Sequence, residues 1–157
     1  MKPIWPLVLV LIFSKAKAQD SAQAEMFVKK DFLILSSTKN YQMALTTAKA
    51  ASFSTHIRLD LRGLSENKES GLSFSKQDCE KEELDFPSYY ARGRDDDVYI
   101  SIEYSDAYRE FAKGYYIVVA ASGNKQEKEM QAAYKKIKAN YKDAYFKSSK
   151  VYMGCMH

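Results

Sequence analysis

The stretch Tyr115–Val151 limits what this chain can become more than any other. Tyr115 to Ala121 is apolar or aromatic at every position and is closed by Ser122-Gly123-Asn124. Such a run reads as a strand buried on both faces. A helix is predicted next, with Asn124 as cap and Glu127 three residues on to close a capping box. Met130, Ala133, Tyr134, Ile137 and Tyr141 fall on one stripe of that helix. Glu127 and Glu129 stand near its start and Lys135, Lys136 and Lys138 near its end, the distribution the helix dipole favours. Ala144 to about Met153 reads as a second strand, giving a strand–helix–strand unit.

An earlier segment repeats the arrangement. Phe32-Leu33-Ile34-Leu35 is a dense apolar strand ending at Ser36-Ser37-Thr38. A helix is predicted from about Asn40 to Ser52, with Tyr41, Ala44, Leu45 and Ala48 as its stripe. Ile57, Leu59 and Leu61 then alternate with His56, Arg58 and Asp60, the period of a half-buried strand that Gly63 ends. Leu33–Asn40 stands against Ile117–Asn124 at an offset of 84 residues. Two such halves predict an α+β, ferredoxin-like βαββαβ domain, an antiparallel sheet with two helices on one face. Its two central strands are then the continuously apolar ones, so local pattern and topology agree.

Between the halves lies an insertion at about 64–113. Ser65 to Glu83 is polar and reads as an exposed loop, Phe86–Tyr90 as an extended piece, and Arg92-Gly93-Arg94-Asp95-Asp96-Asp97 as a solvated turn. Val98, Ile100, Ile102 and Tyr104 alternate with Tyr99, Ser101 and Glu103, which predicts a β-hairpin, and Asp106–Phe111 reads as one helical turn.

Residues 1–18 read as a cleaved export signal. Lys2 is a short basic start, Ile4–Phe13 an apolar run too short to span a bilayer as a helix, and Ala16-Lys17-Ala18 a cleavage site that leaves Gln19 first. Residues 19–30 read as a flexible leader and 31–157 as a single domain. The expected location is outside the cytoplasm, periplasmic or secreted, without stable membrane insertion after cleavage. The whole chain carries a formal charge of +4, but Lys2, Lys15 and Lys17 leave with the signal, so 24 basic residues become 21 against 20 acidic ones. A near-neutral surface gives no footprint for nucleic acid. In an oxidising compartment the pair Cys79 and Cys155 suggests a disulfide, worth about 4.5 kcal/mol at most in the chain-entropy account; two unpaired thiols are the alternative.

Gly114-Tyr115-Tyr116-Ile117-Val118-Val119-Ala120-Ala121-Ser122, the Asn124 cap, the alanine-containing helix to Tyr141, and Lys142-Asp143-Ala144-Tyr145 resemble the SPOR (sporulation-related repeat) family of exported bacterial domains. Phe32–Ser52 resembles that family's first strand and helix. The resemblance implies the ferredoxin-like fold and binding of peptidoglycan glycan strands, mainly those stripped of stem peptides, through the open face of the sheet. Ile34 and Val118 stand where the family tends to place a polar residue, and the linker between halves is longer than the family's.

The expected binding face carries Phe32, Ile34, Tyr116 and Val118 on the two central strands, flanked by His56, Arg58 and Asp60 on the edge strand. Aromatic rings there would stack on sugars and the polar rim would take hydroxyls. Alternatively the insertion folds over this face, and the row is a second small core. An envelope protein, bound at the same face or at the hairpin edge, is the rival partner. Catalysis is not expected. His56 with Cys79 or Cys155 is the one nucleophile–base combination available, and it sits in no recognisable signature. Asp95-Asp96-Asp97 lacks the spacing of a calcium loop, and neither a metal nor a cofactor is expected.

Overall fold

A computed structural model describes residues 26–154. The signal segment 1–18, the start of the leader and Cys155 lie outside the described residues, and with Cys155 the expected disulfide. The architecture is α+β, built on one four-stranded antiparallel sheet whose arrangement is compatible with a ferredoxin-like one. In chain order the elements are β1 (Phe27–Thr38), α1 (Tyr41–Thr55), β2 (Ser65–Asn67), β3 (Gly71–Ser73), α2 (Lys76–Lys81), β4 (Asp97–Tyr104), β5 (Tyr116–Gly123), α3 (Lys128–Lys138) and β6 (Tyr145–Tyr152). The sheet order is β4-β5-β1-β6, while β2 and β3 form a separate hairpin.

β5 and β1 occupy the centre, as two-sided apolar runs require. Every residue of β5 is buried, and so are Phe32, Leu33, Ile34 and Leu35 of β1. β1 begins earlier than the sequence predicts. Phe27–Lys30, read as leader, pairs with Ser149–Tyr152 of β6. Polarity there misleads because Lys29 pairs with Lys150 on a strand end near solvent.

α1 starts where its cap residue demands. The Asn40 side-chain oxygen accepts from Met43 N at 3.0 Å, and Thr38 Oγ1 accepts from Asn40 N at 3.2 Å. Ala44, Ala48 and Ala51 are fully buried against the sheet, the small side chains letting helix and sheet approach closely. Asn40→Ala is expected to lower stability by about 1 kcal/mol, measured by urea unfolding. α3 begins at Lys128 rather than beside Asn124. The Asn124 carboxamide accepts from Gln126 N at 3.0 Å in a local turn, and Glu127 takes the cap position without a side-chain bond. The expected capping box is therefore not formed, since Asn competes for backbone donors two residues on.

Two other expectations need correction. Ile57–Leu61 is not a strand of the sheet. Its one bridge is Leu59 beside Ile100, fastened by Ile100 N to Arg58 O at 2.7 Å and Asp60 N to Ile100 O at 2.8 Å. The chain turns away at once: the Asp60 carboxylate accepts from Arg62 N, and Arg62 and Gly63 both have positive φ. The edge position goes to β4, from the insertion. β4 pairs with β5 and not with Phe86–Tyr90, so the predicted hairpin does not form. The hairpin that does form, β2–β3, arises with α2 in the supposed exposed loop, where Leu72 and Cys79 are buried. Gly71 closes this hairpin at φ 76°, and a β-carbon on it would lie 2.3 Å from the Tyr104 ring.

α1 and α3 cover one face of the sheet. Leu33, Leu35, Tyr116, Val118 and Ala120 pack there against Ala44, Ala48, Met130, Ala133 and Ile137. The opposite, outer face has its own cluster: Phe32, Ile34, Ile117, Val119 and Val151 lie beneath Tyr108 and Phe111.

Candidate functional site

The seven residues expected on one face fall in three places. Phe32 and Ile34 are on the outer face, but the insertion covers them. The Phe32 ring meets Tyr108 edge-on at 5.0 Å and Phe111 at 5.8 Å. Tyr116 and Val118 point the other way, into the helix-side core. Tyr116 packs on Tyr41 at 5.4 Å and Tyr104 at 5.1 Å, and its hydroxyl donates to Gly71 O at 3.1 Å. A strand that is apolar on both sides does not reveal which side is which, and the phase follows instead from pairing Ile34 with Val119. His56 ends α1 in the left-handed conformation, and Arg58 pairs with Asp60 at 2.7 Å beyond β4, with Arg58 lying over the Tyr99 ring. The single exposed sugar platform these residues were expected to form is therefore not assembled.

A buried polar network fastens the insertion to the outer face. Glu103, on β4, is 0% exposed. Its carboxylate accepts from Arg62 at 2.9 and 3.0 Å, Ser101 Oγ at 2.9 Å, the Tyr108 hydroxyl at 3.2 Å and Arg92 N at 3.3 Å. Arg92, 2% exposed, donates to Asp97 at 2.6 and 3.0 Å, to Ser101 Oγ at 2.9 Å and to Val119 O at 3.2 Å, and lies 3.7 Å over the Tyr99 ring. Burial and the Glu103 carboxylate push the Tyr108 phenol well above its usual value, so it serves as a neutral donor. Burial opposes the Arg62 charge, but Glu103 more than offsets it and holds the guanidinium above its ordinary value. The turn Arg92–Asp97 is thus anchored through Arg92 and Asp97, while Asp95 and Asp96 are exposed, as a solvated bend would have them. Among the described residues no group of three or more His, Cys, Asp or Glu is placed to hold a metal. Cys79 is buried, its thiol 3.6 Å from Ser88 O.

What the insertion leaves open is a cavity of about 220 Å³ at one end of the outer face. Ile34 and Ile117 form its floor, Phe111, Tyr115 and Tyr145 supply aromatic walls, and Ser37, Ser105 and Lys147 add polar groups. The Ser105 hydroxyl accepts from Tyr115 N at 2.9 Å and fixes the start of β5. Tyr145 is 45% exposed, so its ring is available at the mouth. Lys147 Nζ stands 5.1 Å from the Phe111 ring centre, and Lys39 Nζ 5.4 Å from that of Tyr115. Of the expected residues only Ile34 reaches this cavity. Tyr145 and Lys147 were nevertheless legible, because alternate residues of a strand share a face and Val151 lies on that face. A smaller cavity of about 120 Å³ lies beyond Tyr108, walled by Phe27 and Tyr152 with Arg94, Arg109 and Lys150. The Arg109 guanidinium sits 4.0 Å over Phe27, and Arg94 donates to Gly154 O at 3.0 Å.

Comparisons with family models, with curated proteins and with solved structures return no match. No helix among the described residues is long and apolar enough to cross a membrane.

Proposed function

We propose that this chain is an exported, non-catalytic binding module with a SPOR-like, ferredoxin-like fold, and that it holds peptidoglycan glycan in the cavity between Phe111, Tyr115 and Tyr145. The fold reading is supported by the strand order. Taking β1, β4, β5 and β6 as first to fourth gives fourth-first-third-second, with α1 and α3 as crossover helices on one face. β2, β3 and α2 are then additions between α1 and the second strand. The single observation that carries the functional reading is the cavity. It lies on the face opposite the helices, where the resemblance puts the ligand, and combines an apolar floor with an exposed tyrosine ring of the kind that stacks on sugars.

The test is retention on insoluble peptidoglycan with and without stem peptides, using the full exported chain. Wild type is expected to be retained, more strongly on stripped strands. Tyr145→Ala is expected to weaken retention by about 1–3 kcal/mol, the range for aromatic anchors, with little change in melting midpoint. A folded wild-type protein that stays in solution would overturn the glycan reading. It would favour a protein partner, the second reading, for which Phe53, 84% exposed, and Met43 on the solvent side of α1 offer an apolar contact.

A further inference from the structure

We infer that the cavity selects acidic saccharides, with Lys147 engaging a carboxylate on the sugar while the aromatic walls hold its ring; this rests on the reading of the cavity as a saccharide site. The Lys147 ammonium lines the cavity 5.1 Å from the Phe111 ring centre, and the exposed Lys39, outside the lining, stands 5.4 Å from that of Tyr115. Neither forms an ion pair among the described residues, whereas Lys30, Arg62 and Arg92 each do. No carboxylate lines the cavity. An uncompensated cation beside a mostly apolar concavity attracts an anion more strongly than one on an open surface, because water competes less there. A neutral sugar would leave Lys147 without a partner, while a carboxylate gives it a charge-assisted one. Ser37 and Ser105 remain to take hydroxyls.

The experiment is calorimetric titration of the exported chain with three tetrasaccharides. These are stem-free glycan with free carboxylates, the same glycan with its carboxylates converted to methylamides, and neutral N-acetylglucosamine tetramer. The acidic form is expected to bind about tenfold or more tighter than the other two, the scale of one hydrogen bond to a charged group. That advantage is expected to shrink as salt rises. Lys147→Gln should remove most of the advantage, lower the neutral tetramer's affinity far less than the acidic form's, and be rescued in part by Lys147→Arg. Equal affinity for all three probes, with Lys147→Gln silent, would overturn the inference while leaving the saccharide site standing. Failure of all three to bind would overturn the saccharide reading and this inference with it.

Discussion

Glu103→Ala is expected to lower unfolding stability by about 3–5 kcal/mol, because it strips the carboxylate partner from the largely buried Arg62 instead of removing a balanced pair. Arg62 loses both of its carboxylate bonds, and Arg92 N, Ser101 and Tyr108 each lose an acceptor at a site that water does not reach. Glu103→Gln keeps the shape and one carbonyl acceptor, so its loss should be smaller. Arg92→Met should also cost less than Glu103→Ala, since the orphaned Asp97 is only partly buried and can turn to solvent. Urea midpoints read at unchanged m-value give the ranking. A loss under about 1 kcal/mol for Glu103→Ala would show that this network does not hold the insertion down. The network joins the turn after α1, through Arg62, to three parts of the insertion: Arg92, β4 and Tyr108. Its rupture should therefore uncover Phe32 and Ile34, seen as new binding of a hydrophobic dye before global unfolding.

Tyr116→Ala is the second large effect, an expected loss of about 3–5 kcal/mol as for aromatic truncation in cores. The ring fills the space between Tyr41 and Tyr104, and its hydroxyl ties β5 to the β2–β3 hairpin at Gly71. Tyr116→Phe removes only that last bond and should cost about 1 kcal/mol. Glycan retention of whatever fraction of Tyr116→Ala remains folded should match wild type, the reverse of Tyr145→Ala. Two tyrosines of one sheet, on strands that flank β1, are thus expected to separate stability from binding. Unchanged thermal stability in Tyr116→Ala would contradict the packing described here.

The comparison of sequence with structure turns on which signals are local. The unit from β5 through α3 to β6 could be read because apolar runs and helical stripes are complete within a few turns of chain. The edge strand could not be settled that way. Residues 57–61 and 98–104 alternate equally well, and only β4 has a chain that stays extended long enough; the other is cut short by the Asp60–Arg62 turn and Gly63. Strand phase was illegible in β5, where every position is buried, yet open in β6, where Lys147 and Val151 share the outer face. The Arg62–Glu103 pair spans 41 residues, so nothing near either residue announces the other. Within Arg92–Asp97, Asp95 and Asp96 do face solvent, but the burial of Arg92 against Asp97 was illegible because composition does not say which charges turn inward.

The central place of β1 also governs when the fold can close. β1 precedes every other described element, yet its partners are β5 and β6, beginning at Tyr116 and Tyr145. A growing chain therefore carries β1 unpaired until β5 is made, and with one edge still open until β6 follows. Ordering so distant a pairing is slow, since the intervening loop entropy has to be overcome first.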